Sequence, residues 1–320
     1  MQREIFLPFL SQTPPPRHKK FSVRIAYTLK RKIKMRRTLA IIRLFCTLAC
    51  VTFFTNGCDK PKDPGKIKLY TLDCGTLAVA NMDAFSDDGK SKNQKANLAN
   101  PCFLIRHPKG NLLWDLGYQE DLADQKNGVV FYEHFHKTMK HTLSTQLKQL
   151  GLSPTDITHI AVSHWHDDHI GNANLFSHAH WLVQELEYAQ LFSAESRSEP
   201  DFFKLYSKLA TAKTTQFKND IDVFGDNTVL IKWMPGHTNG STILQLRLNQ
   251  AGSILLTGDL YTHADARIHN SVPVFNSDKQ ATLASRKKFE QLAKDVQAKV
   301  VIQHEKSHID ALPAFPNFLD

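Results

Sequence analysis

Between residues 164 and 169 the chain reads His164-Trp165-His166-Asp167-Asp168-His169, three imidazoles and two carboxylates directly after a short apolar run. So many ionisable groups are costly in a folded interior unless each has a partner. A divalent cation is the natural partner, since neutral imidazole nitrogens and carboxylate oxygens are good zinc donors at about 2.0–2.2 Å. In an extended segment alternate residues point the same way, so His164 and His166 can share one metal. Once the chain turns, Asp168 and His169 can face a second. Three later boxes offer further donors: Gly236-His237-Thr238-Asn239-Gly240-Ser241, Leu256-Thr257-Gly258-Asp259 and Gln303-His304-Glu305. Each places a possible ligand at the C-terminal end of an expected strand.

The elements that must position these boxes are legible as periodicities. Residues 67–72 alternate apolar and polar as a half-buried strand does. Residues 102–105 and 112–114, separated by Lys109-Gly110-Asn111, read as a hairpin. Further strands are expected at 159–162, 229–234, 243–248, 253–257 and 300–303. Helices are expected at 143–150, closed by Gly151, at 185–192, and at 279–296 with Asp278 as cap. Two groups of strands, each followed by helices, suit an α/β fold in which two mixed sheets pack face to face with helices outside, an αββα sandwich. No internal repeat or low-complexity tract interrupts residues 66–320.

Composition narrows the function classes. With 42% hydrophobic and 22% charged residues the chain can build an ordinary core. The net charge of +9 suggests a polyanion binder until it is located. Residues 1–57 carry twelve Lys or Arg against Glu4, or +11, leaving 28 bases and 30 acids, or −2, for residues 58–320. The excess belongs to the leader, and nucleic acid is not an expected partner.

That leader divides in two. Residues 1–34, with Pro14-Pro15-Pro16 and a basic run, resemble no domain and read as an upstream extension, which leaves Met1 and Met35 both open as the start. From Met35, a basic stretch, an apolar stretch to Phe54 and then Thr55-Asn56-Gly57-Cys58 have the layout of a secretory signal. Cys58 after Gly57 resembles the lipobox of bacterial lipoproteins, although Thr55 and Arg43 depart from its pattern. A lipidated Cys58 would anchor an exported protein to the membrane through the polar tether of residues 58–65; a plain signal peptide or an uncleaved anchor remains the alternative. Of the five cysteines, Cys74 and Cys102 would then be the free pair; they could pair in an oxidising compartment, but buried, inert thiols are the expected state. Neither lies in a CxxC pair, which disfavours a cysteine zinc site.

Taken in order, the histidine and aspartate boxes resemble the metallo-β-lactamase superfamily, whose signature is HxHxDH followed by a later His, an Asp and a final His. The resemblance spans about residues 66–320. The stretches Tyr70-Thr71-Leu72-Asp73-Cys74-Gly75, Asn100-Pro101-Cys102-Phe103-Leu104-Ile105-Arg106 and Gly258-Asp259-Leu260-Tyr261 are similar to the N-acyl-homoserine lactone lactonases within it. The resemblance implies two zinc ions or other divalent transition metals. His164, His166 and His237 would hold one, Asp168, His169 and His304 the other, and Asp259 would bridge them. It also implies a hydroxide between the cations that attacks a lactone carbonyl, Asp168 shuttling the proton to the leaving group, and Tyr261 donating to the developing oxyanion. Tyr261 follows Asp259 by two residues rather than the three of the best-known lactonases, so a packing tyrosine is the competing expectation. Asp115, in Trp114-Asp115-Leu116-Gly117, stands where the family has an Asp-Thr-Gly turn and would support a ligand or simply make a turn. Ser241 replaces a frequent second His, and Glu305 a frequent Asp; neither is expected to bind metal.

An acyl tail needs an apolar groove, for which Met82, Phe85, Phe131, Phe135 and Trp165 are candidates. The expected activity is therefore metal-dependent opening of N-acyl-homoserine lactones, hence quorum quenching. An esterase, a glyoxalase II-like thioesterase or a β-lactamase on the same scaffold is the alternative, and a non-enzymatic, membrane-tethered metal or ligand binder comes third.

Overall fold

In the computed structural model residues 66–131 and 134–320 are described. The expected extension, the signal and Cys58 with its tether lie outside these residues. Among the described residues no helix is long and apolar enough to cross a membrane.

Side-chain alternation explains the architecture. In β1 (Lys68–Val79), β2 (Ala96–His107) and β3 (Gly110–Trp114), Leu69, Phe103, Ile105, Leu112 and Trp114 point to one side, and Tyr70, Leu72, Leu104 and Leu113 to the other. Both sides are buried, so the sheet must be covered twice. The first set packs against Leu244, Leu246, Ile254, Leu256 and Val301 of a second sheet. The second set packs beneath Leu143 and Leu147 of helix α1 (Leu143–Gln149) and Leu191 of α3 (Glu185–Leu191). The second sheet is likewise double-faced: Ile243 and Leu255 turn outward onto Phe289 of a 17-residue helix, Lys279–Asp295. Asp278 caps that helix by accepting the Ala281 N–H, as its position predicts. The result is the expected αββα sandwich.

Among the described residues the larger sheet has eight strands in the order β4-β5-β1-β2-β3-β6-β7-β8 and the smaller five, β13-β12-β11-β10-β9. Here β4 is Val129–Phe131, β5 Phe135–Thr138, β6 His159–Ala161, β7 His180–Gln184 and β8 Thr214–Phe217. In the smaller sheet β9 is Ile221–Asp222, β10 Val229–Trp233, β11 Thr242–Leu248, β12 Gly252–Leu256 and β13 Lys299–Val301. β3, β6 and β7 run parallel, as do β12 and β13, while β11 is antiparallel to both β10 and β12. The C-terminal ends of β3, β6 and β7 therefore share one edge, and those of β10, β12 and β13 share another. Trp114 Nε1 donates to Gln303 Oε1 at 3.0 Å, and the Thr242 N–H to Ser163 O at 2.8 Å, so the two edges meet.

One expectation is corrected. Cys74 and Cys102 are not free thiols but form a disulfide, with Cα atoms 5.7 Å apart. The register sets Leu72 opposite Cys102, and a bulge between Asp73 and Thr76 carries Cys74 diagonally onto it. No sequence pattern announces that bulge. Gly117 packs directly on the bridge with φ +64°, and a Cβ there would fall 2.3 Å from Cys74 Cβ. The turn bearing Asp115 is thus seated on the disulfide.

Candidate metal centre

Every expected ligand arrives at the shared edge. The loop after β6 brings His164 and His166, and α2 (Asp167–Ile170) turns Asp168 and His169 inward. The β10–β11 loop supplies His237, the turn after β12 supplies Asp259, and the turn after β13 supplies His304. All seven are buried except His166 and Asp168, which are half-buried.

Three ring nitrogens form the first triad. His164 Nε2 lies 2.8 Å from His166 Nδ1, and His237 Nε2 lies 3.1 Å from each. In the second, His169 Nε2 and His304 Nε2 are 3.3 Å apart, with Asp168 Oδ1 and Oδ2 respectively 3.6 Å from them. Asp259 spans both. Its Oδ1 is 2.9 Å from His304 Nε2 and 3.4 Å from His169 Nε2, while its Oδ2 is 3.4 Å from His237 Nε2.

The donor chemistry fits a cation. Three mutually adjacent imidazole nitrogens cannot all be satisfied by hydrogen bonds, because each pair needs one donor and one acceptor. A tetrahedral ion with bonds of about 2.0–2.1 Å sets its donors about 3.3 Å apart, close to the spacing seen here. His164, His166 and His237 form one group of ligand atoms able to hold an ion; Asp168, His169 and His304 form another.

Electrostatics separates the triads. Burial holds His164 well below the usual imidazole range, with its neighbouring imidazoles adding to the effect, and lowers His237 to about 3. These rings are neutral, as metal ligands must be. Burial also opposes charge on His169 and His304, but carboxylates outweigh it. Asp168, Asp115 and Asp259 raise His169 well above its ordinary value, and Asp259 and Asp168 bring His304 to about 9. For Asp259 burial favours the acid form, yet His304 and His169 hold it well below the carboxylate range.

A second layer of contacts surrounds the ligand candidates. Asp115, fully buried with φ +56°, sets Oδ2 3.0 Å from His169 Nδ1 and accepts the Ser163 N–H at 2.6 Å through Oδ1. Gln303 Nε2 donates to Asp115 at 2.7 Å, and Gln303 Oε1 accepts the Gly258 N–H at 2.9 Å. Asp115 therefore makes a turn and also meets His169, a ligand candidate. Such partners fix ring orientation and raise ligand basicity. We expect Asp115→Asn to weaken metal affinity by about 10–100-fold with little loss of fold, read by competition with a chromogenic chelator.

Tyr261 does not join the cluster. It is buried against Phe289, and its hydroxyl donates to Glu290 Oε1 at 2.9 Å. The expected oxyanion contact is thus replaced by the packing role, because the chain after Asp259 turns Tyr261 toward the long helix. A different phenol, Tyr118, lies buried near the site; burial, then the carboxylates of Asp168, Asp167 and Asp259, raises its pKa well above the ordinary value. It follows Asp115 in the chain, and no motif spacing marks it. Ser241 and Glu305 are structural: the Ser241 hydroxyl accepts the Thr238 N–H at 2.7 Å, and Glu305 accepts the Ala264 N–H at 3.0 Å.

Of the groove candidates, Met82 and Phe85 form an apolar cluster with Val79 and Leu98, and Phe135 packs against it. Phe275, which the motifs do not flag, links that cluster to the ligands. Its ring centroid lies 5.5 Å from Phe85, 6.2 Å from His166 and 6.0 Å from His237. Trp165 leans instead on His166 and Phe202, and Phe131 is exposed beneath the Lys137 ammonium.

Residues 97–304 match the metallo-beta-lactamase superfamily. The protein is a metallo-β-lactamase superfamily hydrolase. Among curated relatives of this superfamily member, N-acyl homoserine lactonase AttM of Azorhizobium caulinodans is 28% identical over 265 residues, covering 79% of this chain and 99% of the relative. N-acyl homoserine lactonase AiiA of Bacillus thuringiensis subsp. kurstaki is 25% identical over 258 residues, covering 79% and 98%. Among solved structures, an N-acyl homoserine lactone hydrolase with N-hexanoyl-L-homoserine at its metal centre superposes with a TM-score of 0.67 at 24% identity, covering 79% and 98%. AidC, a dizinc quorum-quenching lactonase, gives 0.57 at 19% identity, covering 79% and 90%. The structural likenesses establish the shared fold, and that fold with this histidine and aspartate cluster implies divalent metal, typically zinc.

Proposed function

We propose that this hydrolase opens the lactone ring of N-acyl homoserine lactones. The observation that carries the reading is Asp259, whose two oxygens face different triads at the inner end of an apolar wall. His164, His166 and His237 would hold one divalent cation, Asp168, His169 and His304 the other. Such a pair supplies Lewis acidity, lowering the pKa of water and polarising a carbonyl.

The chain's own groups would do the rest. Asp168, with 19% of its side chain exposed, is placed to take a proton at a carboxylate oxygen and return it to the departing alkoxide. Tyr118, held protonated, is the phenol available as a donor. The wall of Phe275, Phe85 and Phe135 would receive the acyl chain. It adjoins two clefts of about 330 and 520 Å³, the first lined by His304, Met82 and Leu98, the second by Val79, Val130 and Phe135. Lys95, Ala96 and Asn97 line both. The match to proteins named N-acyl homoserine lactonases, across nearly their whole length, supports the same reading.

We also propose that the protein is exported and anchored through Cys58. The Cys74–Cys102 disulfide supports export, since such bonds persist in oxidising compartments.

The decisive experiment is a substrate panel for residues 59–320: short- and long-chain acyl-homoserine lactones, aryl esters, glutathione thioesters and β-lactams. We expect the lactones to be turned over with the highest kcat/KM. Turnover of another class with lactones inert would reassign the substrate within the same scaffold.

A further inference from the structure

Glu187 is a buried carboxylate that no ligand motif includes. It lies in the first turn of α3, only 2% exposed, and neither carboxylate oxygen is idle. Oε2 accepts the Trp165 N–H at 2.8 Å; Oε1 accepts the Thr238 hydroxyl at 2.5 Å and the Gly240 N–H at 2.8 Å. Trp165 stands between His164 and His166, and Thr238 follows His237. One side chain therefore ties together the two loops that make the first triad, although they are far apart in sequence.

The arrangement is costly and closely fitted. Burial pushes the Glu187 carboxyl up to about 7 even with those three donors. Gly240 leaves room for it: a Cβ would fall 2.7 Å from Glu187 Cγ and 2.8 Å from its backbone nitrogen. The second triad is secured by other means. Asp115 meets His169, Asn100 Nδ2 donates to Asp168 O at 3.1 Å, and His304 Nδ1 lies 2.7 Å from Ala99 O.

We propose that Glu187 is a positioning residue for the His164–His166–His237 site alone, setting that site's metal affinity independently of the Asp168–His169–His304 site. The proposal rests on the metal reading of the two triads and not on the substrate. Glutamine preserves the shape of Glu187 but turns an amide NH2 toward backbone or hydroxyl donors, so one loop loses its acceptor.

The test measures zinc affinity by competition in two backgrounds. With the second site disabled by His304→Ala, adding Glu187→Gln should weaken the remaining site by about 10–100-fold. With the first site disabled by His237→Ala, the same change should alter affinity by less than about twofold. Equal weakening in both backgrounds, or none in the first, overturns the proposal. Thr238→Val and Thr238→Ser supply an independent arm should Glu187→Gln fold poorly. Valine should reproduce the selective loss and serine, which restores the hydroxyl, should reverse it; identical affinities for the two also overturn it. Lactone turnover by the wild type is scored separately, so a wrong substrate and a wrong role for Glu187 give different results.

Discussion

Asp259→Ala should lower kcat/KM by about 10³-fold or more, on the order of 4 kcal/mol of barrier, while the chain stays folded. The size follows from the position of the carboxylate. Asp259 Oδ1 faces His304 and His169 while Oδ2 faces His237, so its loss removes an anion from both proposed cation sites at once. Asp259→Asn keeps the shape and one neutral acceptor, and should retain more metal than alanine but less than wild type. Steady-state kinetics on the best substrate, elemental analysis and far-ultraviolet circular dichroism together decide the matter. Equal rates for wild type and Asp259→Ala would remove the bridging role.

Metal removal should have the second large effect, and on stability as well as activity. A ligand that binds only the folded chain stabilises it by about 4 kcal/mol when present at about a thousand times its Kd. For a domain of roughly 250 residues that corresponds to a Tm higher by roughly 8–16 °C. Dialysis against a strong chelator should therefore abolish hydrolysis and lower Tm by that amount, and zinc should restore both. The cause is on view at the centre: buried or half-buried imidazoles and carboxylates lie 2.8–3.6 Å apart. An unchanged Tm after verified removal of the metal would show that these groups do not depend on a cation.

The seven ligand candidates were legible because the donors sit in short motifs at strand ends, where local spacing already determines which way neighbouring side chains point. His164 and His166 two apart, then Asp168 and His169 across a turn, need no tertiary information to be suspected. The layering was legible from the order of strands and helices and from apolar runs such as Cys102-Phe103-Leu104-Ile105, which suit a strand covered on both faces, whereas the alternation at 67–72 announced only one buried face of β1. The short strands β4, β5, β7 and β8 escaped: three to five residues carry little periodicity, and unlike β6 and β13, which are just as short, they lead into no ligand box.

By itself, then, the sequence determined the hydrolase class, the candidate donor residues and the layering that carries them. Tertiary structure alone decided the rest, because it depended on register, on bulges and on which neighbour a side chain meets. The bulge after Asp73 joined Cys74 to Cys102, where isolated thiols were expected. The turn after Asp259 committed Tyr261 to Glu290 rather than to the histidine and aspartate cluster. Packing of α3 across the β10–β11 loop brought Glu187 onto partners 22, 51 and 53 residues away, a distance over which no spacing rule operates.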